Sequence, residues 1–450
     1  MRLFGVPRFT SYAKPERWAA QANQARKDNE SRPTDLHRWR RLGLGECGLV
    51  MITCYLDSQD YSTLTDPKQA SAERHEIRSA LLALAHSHQV RFVFSAAVVS
   101  EAVPLTADAT YLAELRGDFL TNLCGSNALV FFDKLVEAEA RALSRRSSPP
   151  SHVLDKFGRW FPDFDDDGPP QSFLDVIRES AEKEWKSMGL SRQQRRANSR
   201  ALIKHGKPRA ELRAHLESQD PKAIVAEIQE KYPMRPDYAA VITDYAFGRA
   251  SEAALVEALT NSLKDLQWMM KWFSTDHSLS NPIADIVRRP GRELGQLARH
   301  LVVTSLEYAD MLREADLDAD PTGPQGQLAL RWKEMESSQL LGMVVRASRT
   351  RGIQLDEHSV AEVERYCPGI TTGVKSLFSS IWMNVGGGRK KEPEDSQPVD
   401  ALHAFYAPYV NVFRADRFMA PHIQNQCRNS GTIVVSRLAE LVGVLQQQVR

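Results

Sequence analysis

Cysteine is scarce and scattered. The five thiols (Cys47, Cys54, Cys124, Cys367 and Cys427) form no Cys-x-x-Cys pair. That argues against a zinc site and against a disulfide framework, and it leaves free, buried thiols in a reducing compartment as the expectation. Net charge is also close to nil. Lys and Arg number 58 against 57 Asp and Glu, a balance of +1, so any nucleic-acid surface must be a local patch and not a global field. No run of about 18 apolar residues occurs, which predicts no membrane span. The first residues set Arg2, Arg8, Lys14 and Arg17 among aromatics without a signal-peptide core, so a soluble cytoplasmic protein with no membrane partner is expected. No repeat of constant period supports a solenoid. What is present is ordinary for a globular chain: 42% hydrophobic and 26% charged residues, over a length of 450 that suffices for two or three domains.

Leu49–Asp57, reading LVMITCYLD, is a short β-branched run that ends in a carboxylate. Being apolar on both alternating faces, it predicts a central strand covered on both sides. Ligands of open α/β sheets bind beyond the carboxyl ends of the strands, which is where Asp57 falls. Helical spacing follows over 68–88, a second strand over Gln89–Ser95, a short helix holding Glu101, and a helix over 108–123. Asn127–Phe132 reads as a short strand or as the start of the helix that continues to Leu143. This order opens a parallel α/β sheet.

Ser147-Ser148-Pro149-Pro150 breaks the pattern, and 163–170 is an acidic loop. That loop begins like a calcium loop but has Leu174 where a bidentate Glu is required, so a solvated loop is expected. From about 171 to 382 the periodicity is helical over 172–188, 191–204, 208–217, 221–231, 236–247, 251–273, 282–315, 326–350, 357–366 and 371–383. The apolar run 267–273 reads as core. Arg195, Arg196, Arg200 and Lys204 belong to the strongest basic run, which could track a phosphate backbone or form a solvated helix pair. Gly386 to Pro398 is the clearest linker. After it come a helix over Val399–Tyr406, a strand over Tyr409–Arg414, a helix over Ala415–Cys427, a strand over Gly431–Ser436 and a last helix. The simplest organisation has a basic arm (1–47), the first part of an α/β domain (48–145), an all-α insertion with its linker (146–395), and the second part of the α/β domain (396–450).

Four acids follow strands or begin helices: Asp57, Glu101, Asp400 and Asp416. Asp400 is placed to cap its helix, and parallel strands bring Asp57 and Asp416 to one edge. Bare carboxylates so gathered would repel, raising their pKa values or binding a hard divalent cation. Oxygen-only ligands favour magnesium or manganese. Asp60 is an accessory acid or a turn residue, and His403 reads as a packed helix residue.

These runs resemble a known family. YLDSQDYS, FVFSAAVVSEAV and VDALHAFYAPYVNVFRADRFMA are similar to the successive acidic motifs of the PIN domain nucleases, over roughly 48–145 and 396–450. The resemblance implies a three-layer α/β/α parallel sheet, here interrupted by a long helical insertion. It also implies metal-dependent endonuclease activity, usually on RNA, with Asp57, Glu101, Asp400 and Asp416 as catalytic and metal-binding acids. Arg414 and Arg417 flank Asp416 where the family more often has Thr or Ser, and could either weaken metal binding or hold substrate phosphate. The expectation is therefore a magnesium- or manganese-dependent endoribonuclease, with DNA as the other substrate. The helical region would serve as lid, clamp, dimer surface or inhibitor-binding face. The alternative is a catalytically silent scaffold whose helical region binds a protein or nucleic acid.

Overall fold

The computed structural model describes residues 51–449 apart from 152, 162–184, 187, 205–206, 209–221, 223–224, 227–228, 230–233, 247–248, 276–279, 315–322, 387–392 and 394–395. The basic arm, the acidic loop 163–170 and most of the helices expected over 172–188, 208–217 and 221–231 lie outside the described residues.

The apolar run beginning near Leu49 supplies β1 (Ile52–Tyr55), whose side chains are buried on both faces except for Thr53. Asp57 then caps α1 (Ser58–Thr65), its carboxylate accepting from the Gln59 amide. Ser71 caps α2 (Ala72–His86) in the same way, through the Arg74 amide. The chain continues with β2 (Val90–Val93), α3 (Ala96–Ala102), α4 (Thr110–Cys124) and α5 (Phe132–Arg145). The stretch Asn127–Phe132 is neither a full strand nor helix: Ala128 makes one parallel bridge to Phe94, and the helix starts at Phe132.

Among the described residues the next region is helical. It comprises α6 (Arg192–Leu202), α7 (Pro236–Ala246), α8 (Glu252–Lys264), α9 (Leu266–Thr275), α10 (Ser280–Glu314), α11 (Gly323–Thr350), α12 (Val360–Tyr366) and α13 (Pro368–Val385). Two expectations change here. The helix expected over 251–273 breaks at Asp265, whose backbone leaves the helical region and whose side chain pairs with Arg235. The helix over 191–204 stops at Leu202, and Ile203–Lys204 pairs antiparallel with Lys207–Pro208. The expected core character of the aromatic run holds at Met269 and Met270, which are buried.

The last segment gives α14 (Gln397–Ala404), β3 (Val412–Arg414), α15 (Met419–Gln426), β4 (Ile433–Val435) and α16 (Leu438–Val449). The strand expected from Tyr409 starts only at Val412, because Ala407–Tyr409 takes a 3₁₀ turn around Pro408.

All ladders of the main sheet are parallel, in the order β2-β1-β3-β4. Register pairs Tyr55 with Val93 on one side and with Phe413 on the other. Thus the two distant parts of the chain share one sheet, flanked by helices. The chain leaves β1 in one direction to reach β2 and returns on the other side with β3, so β1 and β3 frame a topological switch point. Aromatic packing seals this junction. The Tyr55 ring stacks on Phe413 at 5.1 Å between centroids, and Phe405 meets Phe132 edge-on at 4.7 Å. Such pairs contribute about 0.5–1.5 kcal/mol each beyond their burial.

The helical region packs against the sheet-bearing part and shares its core. Helix α9 lies on α4, α10 lies on α3 and α14, and α13 lies on α14 and α15. Gly373 lets α13 approach α14, since a Cβ there would fall inside the Phe405 ring. Gly373→Ala is therefore expected to cost about 1–3 kcal/mol by overpacking, read as a lowered midpoint of denaturant unfolding. The described cysteines Cys54, Cys124, Cys367 and Cys427 are free and buried. No described helix is long and apolar enough to cross a membrane.

Candidate active site

The acids at the ends of β1 and β3, Asp57 and Asp416, lie near enough to Asp400 for both charges to act on its carboxyl. Asp57 is half-buried at the N-cap of α1 and accepts from the Gln59 amide at 3.2 Å and from the Ser58 hydroxyl at 3.3 Å. Burial pushes its carboxyl up, against the pull of His403, and Glu101 pushes it further. Asp416, just past β3, accepts from the Met419 amide, so it orders the entry to α15.

Asp400 does not cap its helix. Helix α14 begins one turn earlier, after Ser396 and with Pro398 in its first turn, and the Asp400 amide already bonds to the Ser396 carbonyl at 2.9 Å. Asp400 is thereby carried on the first turn. Burial first, then the charges of Asp57 and Asp416 and to a lesser degree Glu101, hold its carboxyl well above the usual carboxylate range. Among the described residues no group donates a hydrogen bond to it.

Glu101, on α3, has a different environment. His403 lies on α14, one turn beyond Asp400, and its Nε2 stands 2.8 Å from Glu101 Oε2. Its Nδ1 stands 2.5 Å from the Tyr55 hydroxyl, which is 2.7 Å from Ser95 Oγ. Burial disfavours charge on His403, yet the hydrogen bond and charge of Glu101 push it up to about 9. Charged, it donates from both ring nitrogens, to Glu101 and to Tyr55, and the Tyr55 hydroxyl donates onward to Ser95. Burial likewise opposes charge on Glu101, but His403 outweighs it, and the carboxyl sits below its ordinary value. His403 is thus more than a packed helix residue; its spacing of three from Asp400 on one short helix was the available signal.

Asp60 is no turn residue. It lies inside α1, 2% exposed, and its Oδ1 meets Arg414 Nη2 at 3.1 Å. Burial pushes Asp60 up to about 7 against the pull of Arg414. Arg414, expected as a phosphate contact, is instead turned inward, because β3 sits in the middle of the sheet and this side chain reaches Asp60 on α1. Arg417 is exposed. On α6, Arg196 is exposed and Arg195 donates to the Leu190 carbonyl at 2.9 Å. Arg200 and Lys204 are described in backbone only, at the end of α6 and in the two-residue strand that follows.

The helical region contributes a wall. Ser100, next to Glu101, donates to the carbonyls of Ile283 at 2.8 Å and Ala284 at 3.0 Å in the first turns of α10. Arg288 on the same helix exerts a field on Glu101. Among the described residues no three His, Cys, Asp or Glu side chains stand at mutual metal-ligand distance. The donor chemistry nonetheless suits a hard cation: oxygen ligands only, and one carboxylate, Asp400, raised by its acidic neighbours and lacking a donor among the described residues.

No protein-family model matches this chain, and no curated protein or solved structure matches it either.

Proposed function

We propose that this protein is a metal-dependent endonuclease with a PIN-like, three-layer α/β domain, acting on single-stranded RNA. The observation that carries the reading is the shared field of Asp57, Glu101, Asp400 and Asp416, acids from opposite ends of the chain that gather at one switch point. The choice of RNA rests on the resemblance of the acidic motifs to those of PIN nucleases. Magnesium or manganese bound there supplies a Lewis acid that activates water and stabilises in-line displacement at phosphorus. Asp57, Asp400 and Asp416 would hold the ion. Asp57 caps α1 and Asp416 accepts from the first amide of α15, which keeps their carboxylates in place without reorganisation. His403 holds Glu101 in a single orientation. Exposed Arg417, and the basic helix α6 through Arg196, supply positive charge for the phosphate backbone.

Divalent-dependent cleavage of single-stranded RNA tests this. Asp57→Asn is expected to lose about 100-fold or more of the rate, the size of removing one fixed electrostatic partner. Equal cleavage by wild type and Asp57→Asn would overturn the site.

A second reading, a silent scaffold, is favoured by one feature: Glu101 and Asp60 are already neutralised internally by His403 and Arg414. Calorimetric titration with manganese separates the two, since a silent scaffold takes up none at the cluster.

A further inference from the structure

Arg414 is buried at the switch point in a pairing that makes poor structural glue. Its Nη2 meets Asp60 Oδ1 at 3.1 Å, with side-chain exposures of 11% and 3%. Yet Arg414 Nε and Nη1 and Asp60 Oδ2 have no hydrogen-bond partner among the described residues. Each such buried polar group left over is a cost to folding, and a buried ion pair with unmet groups is seldom better than an apolar pair of the same size. Packing therefore does not account for it.

Its position does suggest a role. Asp60 stands one helical turn from Asp57 on α1, and the field of Arg414 reaches Asp57, favouring its ionised form. Two-metal phosphodiester sites set ions about 3.5–4 Å apart, and each ion needs carboxylates of its own. Here Asp60 is held by a guanidinium, which is always charged, and Glu101 is held by His403 at 2.8 Å. Asp60 and Glu101, the two acids either of which could serve a second ion beside Asp57, are both engaged by cations of the chain. Asp57, Asp400 and Asp416 have no salt bridge among the described residues.

Resting on the metal-dependent reading above, we propose that Arg414 is a resident cation that takes the place of a second metal, so that the site binds one divalent ion, on Asp57, Asp400 and Asp416. Arg414 is then a positioning residue, acting through Asp60 and Asp57.

The test counts bound manganese on the full chain, by titration with the free ion followed by electron paramagnetic resonance. Wild type is expected to bind one ion. Arg414→Met, which frees Asp60, is expected to bind two. The double variant Asp60→Asn with Arg414→Met removes both members of the pair and is expected to return to one ion, with affinity within about threefold of wild type. Two ions on wild type, or one on folded Arg414→Met, overturn the resident-cation role while leaving the nuclease reading intact. A tenfold or greater loss of affinity in the double variant overturns it too, by making Asp60 a ligand. No ion on wild type removes the metal reading itself. Should Arg414→Met alone fail to fold, the wild-type count and the double variant still decide.

Discussion

Asp400→Asn is expected to raise the melting temperature of the metal-free protein and, in the same molecule, to lower RNA cleavage by about 100-fold or more. The two effects share one cause. Burial and the charges of Asp57, Asp416 and Glu101 hold the Asp400 carboxyl well above its ordinary range. A carboxyl raised on folding favours the protonated form in the folded state. Its contribution to stability is complete below the unfolded pKa and is lost as pH rises through the folded one. At pH above the unfolded pKa the buried carboxyl is thus a burden to folding, and the neutral amide removes it. A gain of a few degrees follows from relieving a like-charge contact of this kind. Manganese should reverse the order. Bound at about 100 times its dissociation constant, an ion stabilises the wild type by about 2.7 kcal/mol, whereas Asp400→Asn gains little. Melting curves with and without manganese should therefore cross. A variant less stable than wild type in the absence of metal would show that Asp400 is a structural residue.

Glu139→Leu is expected to destabilise the protein by roughly 3–5 kcal/mol, among the largest effects of any single change. Glu139 is 0% exposed on α5 and accepts from the Gly369 amide at 2.5 Å, from the Ile370 amide at 2.9 Å and from the Tyr409 hydroxyl. It thereby ties the first part of the chain to the N-terminus of α13 and to the turn before β3. An acid at a helix N-terminus is also favoured by the helix dipole. The junction is tight: a Cβ on Gly369 would stand 2.6 Å from the Phe405 carbonyl oxygen, one residue beyond the helix that carries Asp400. Leucine would leave two buried amides and the half-buried Tyr409 hydroxyl without this acceptor. The shift of the urea midpoint checks this, and Tyr409→Phe should cost only about 1 kcal/mol.

The same residue gives a pH dependence. Burial pushes Glu139 from 4.5 up to about 7, against the hydrogen bonds of Tyr409, Ile370 and Gly369. Between those values the folded state binds a proton that the unfolded chain releases. Stability from this group is complete below about 4.5 and declines as pH rises through 7. Glu139→Gln should flatten that decline. An unchanged slope between pH 4.5 and 8 would mean that Glu139 is ionised throughout.

Glu139 was also legible only in part. It falls on the apolar stripe of its helix, four residues from Leu135 and four from Leu143, which marks a buried charge but names no partner. The partners lie more than 200 residues away. His403 has the same history: its spacing from Asp400 was visible, while Tyr55 and Glu101 come from elements some 300 residues earlier. Asp400 was misplaced at a helix cap because Ser396 and Pro398 were read as linker, although Ser before Pro is itself a sound helix start. The pairing of Arg414 with Asp60 was not legible, because a single residue at a strand end carries no local sign of the face it will take.

What the sequence determined by itself was local. Short apolar runs made β1 and β2, a carboxylate closed each site-bearing strand, and the helical periodicity over 236–383 was plain, since such patterns are set by neighbours a few residues apart. Tertiary structure alone decided that β3 enters beside β1 and not beside β2, which creates the switch point. It also decided which acids receive a cation and which face one another bare. Strand pairing and charge burial depend on groups hundreds of residues distant, and no local window of the chain contains both partners.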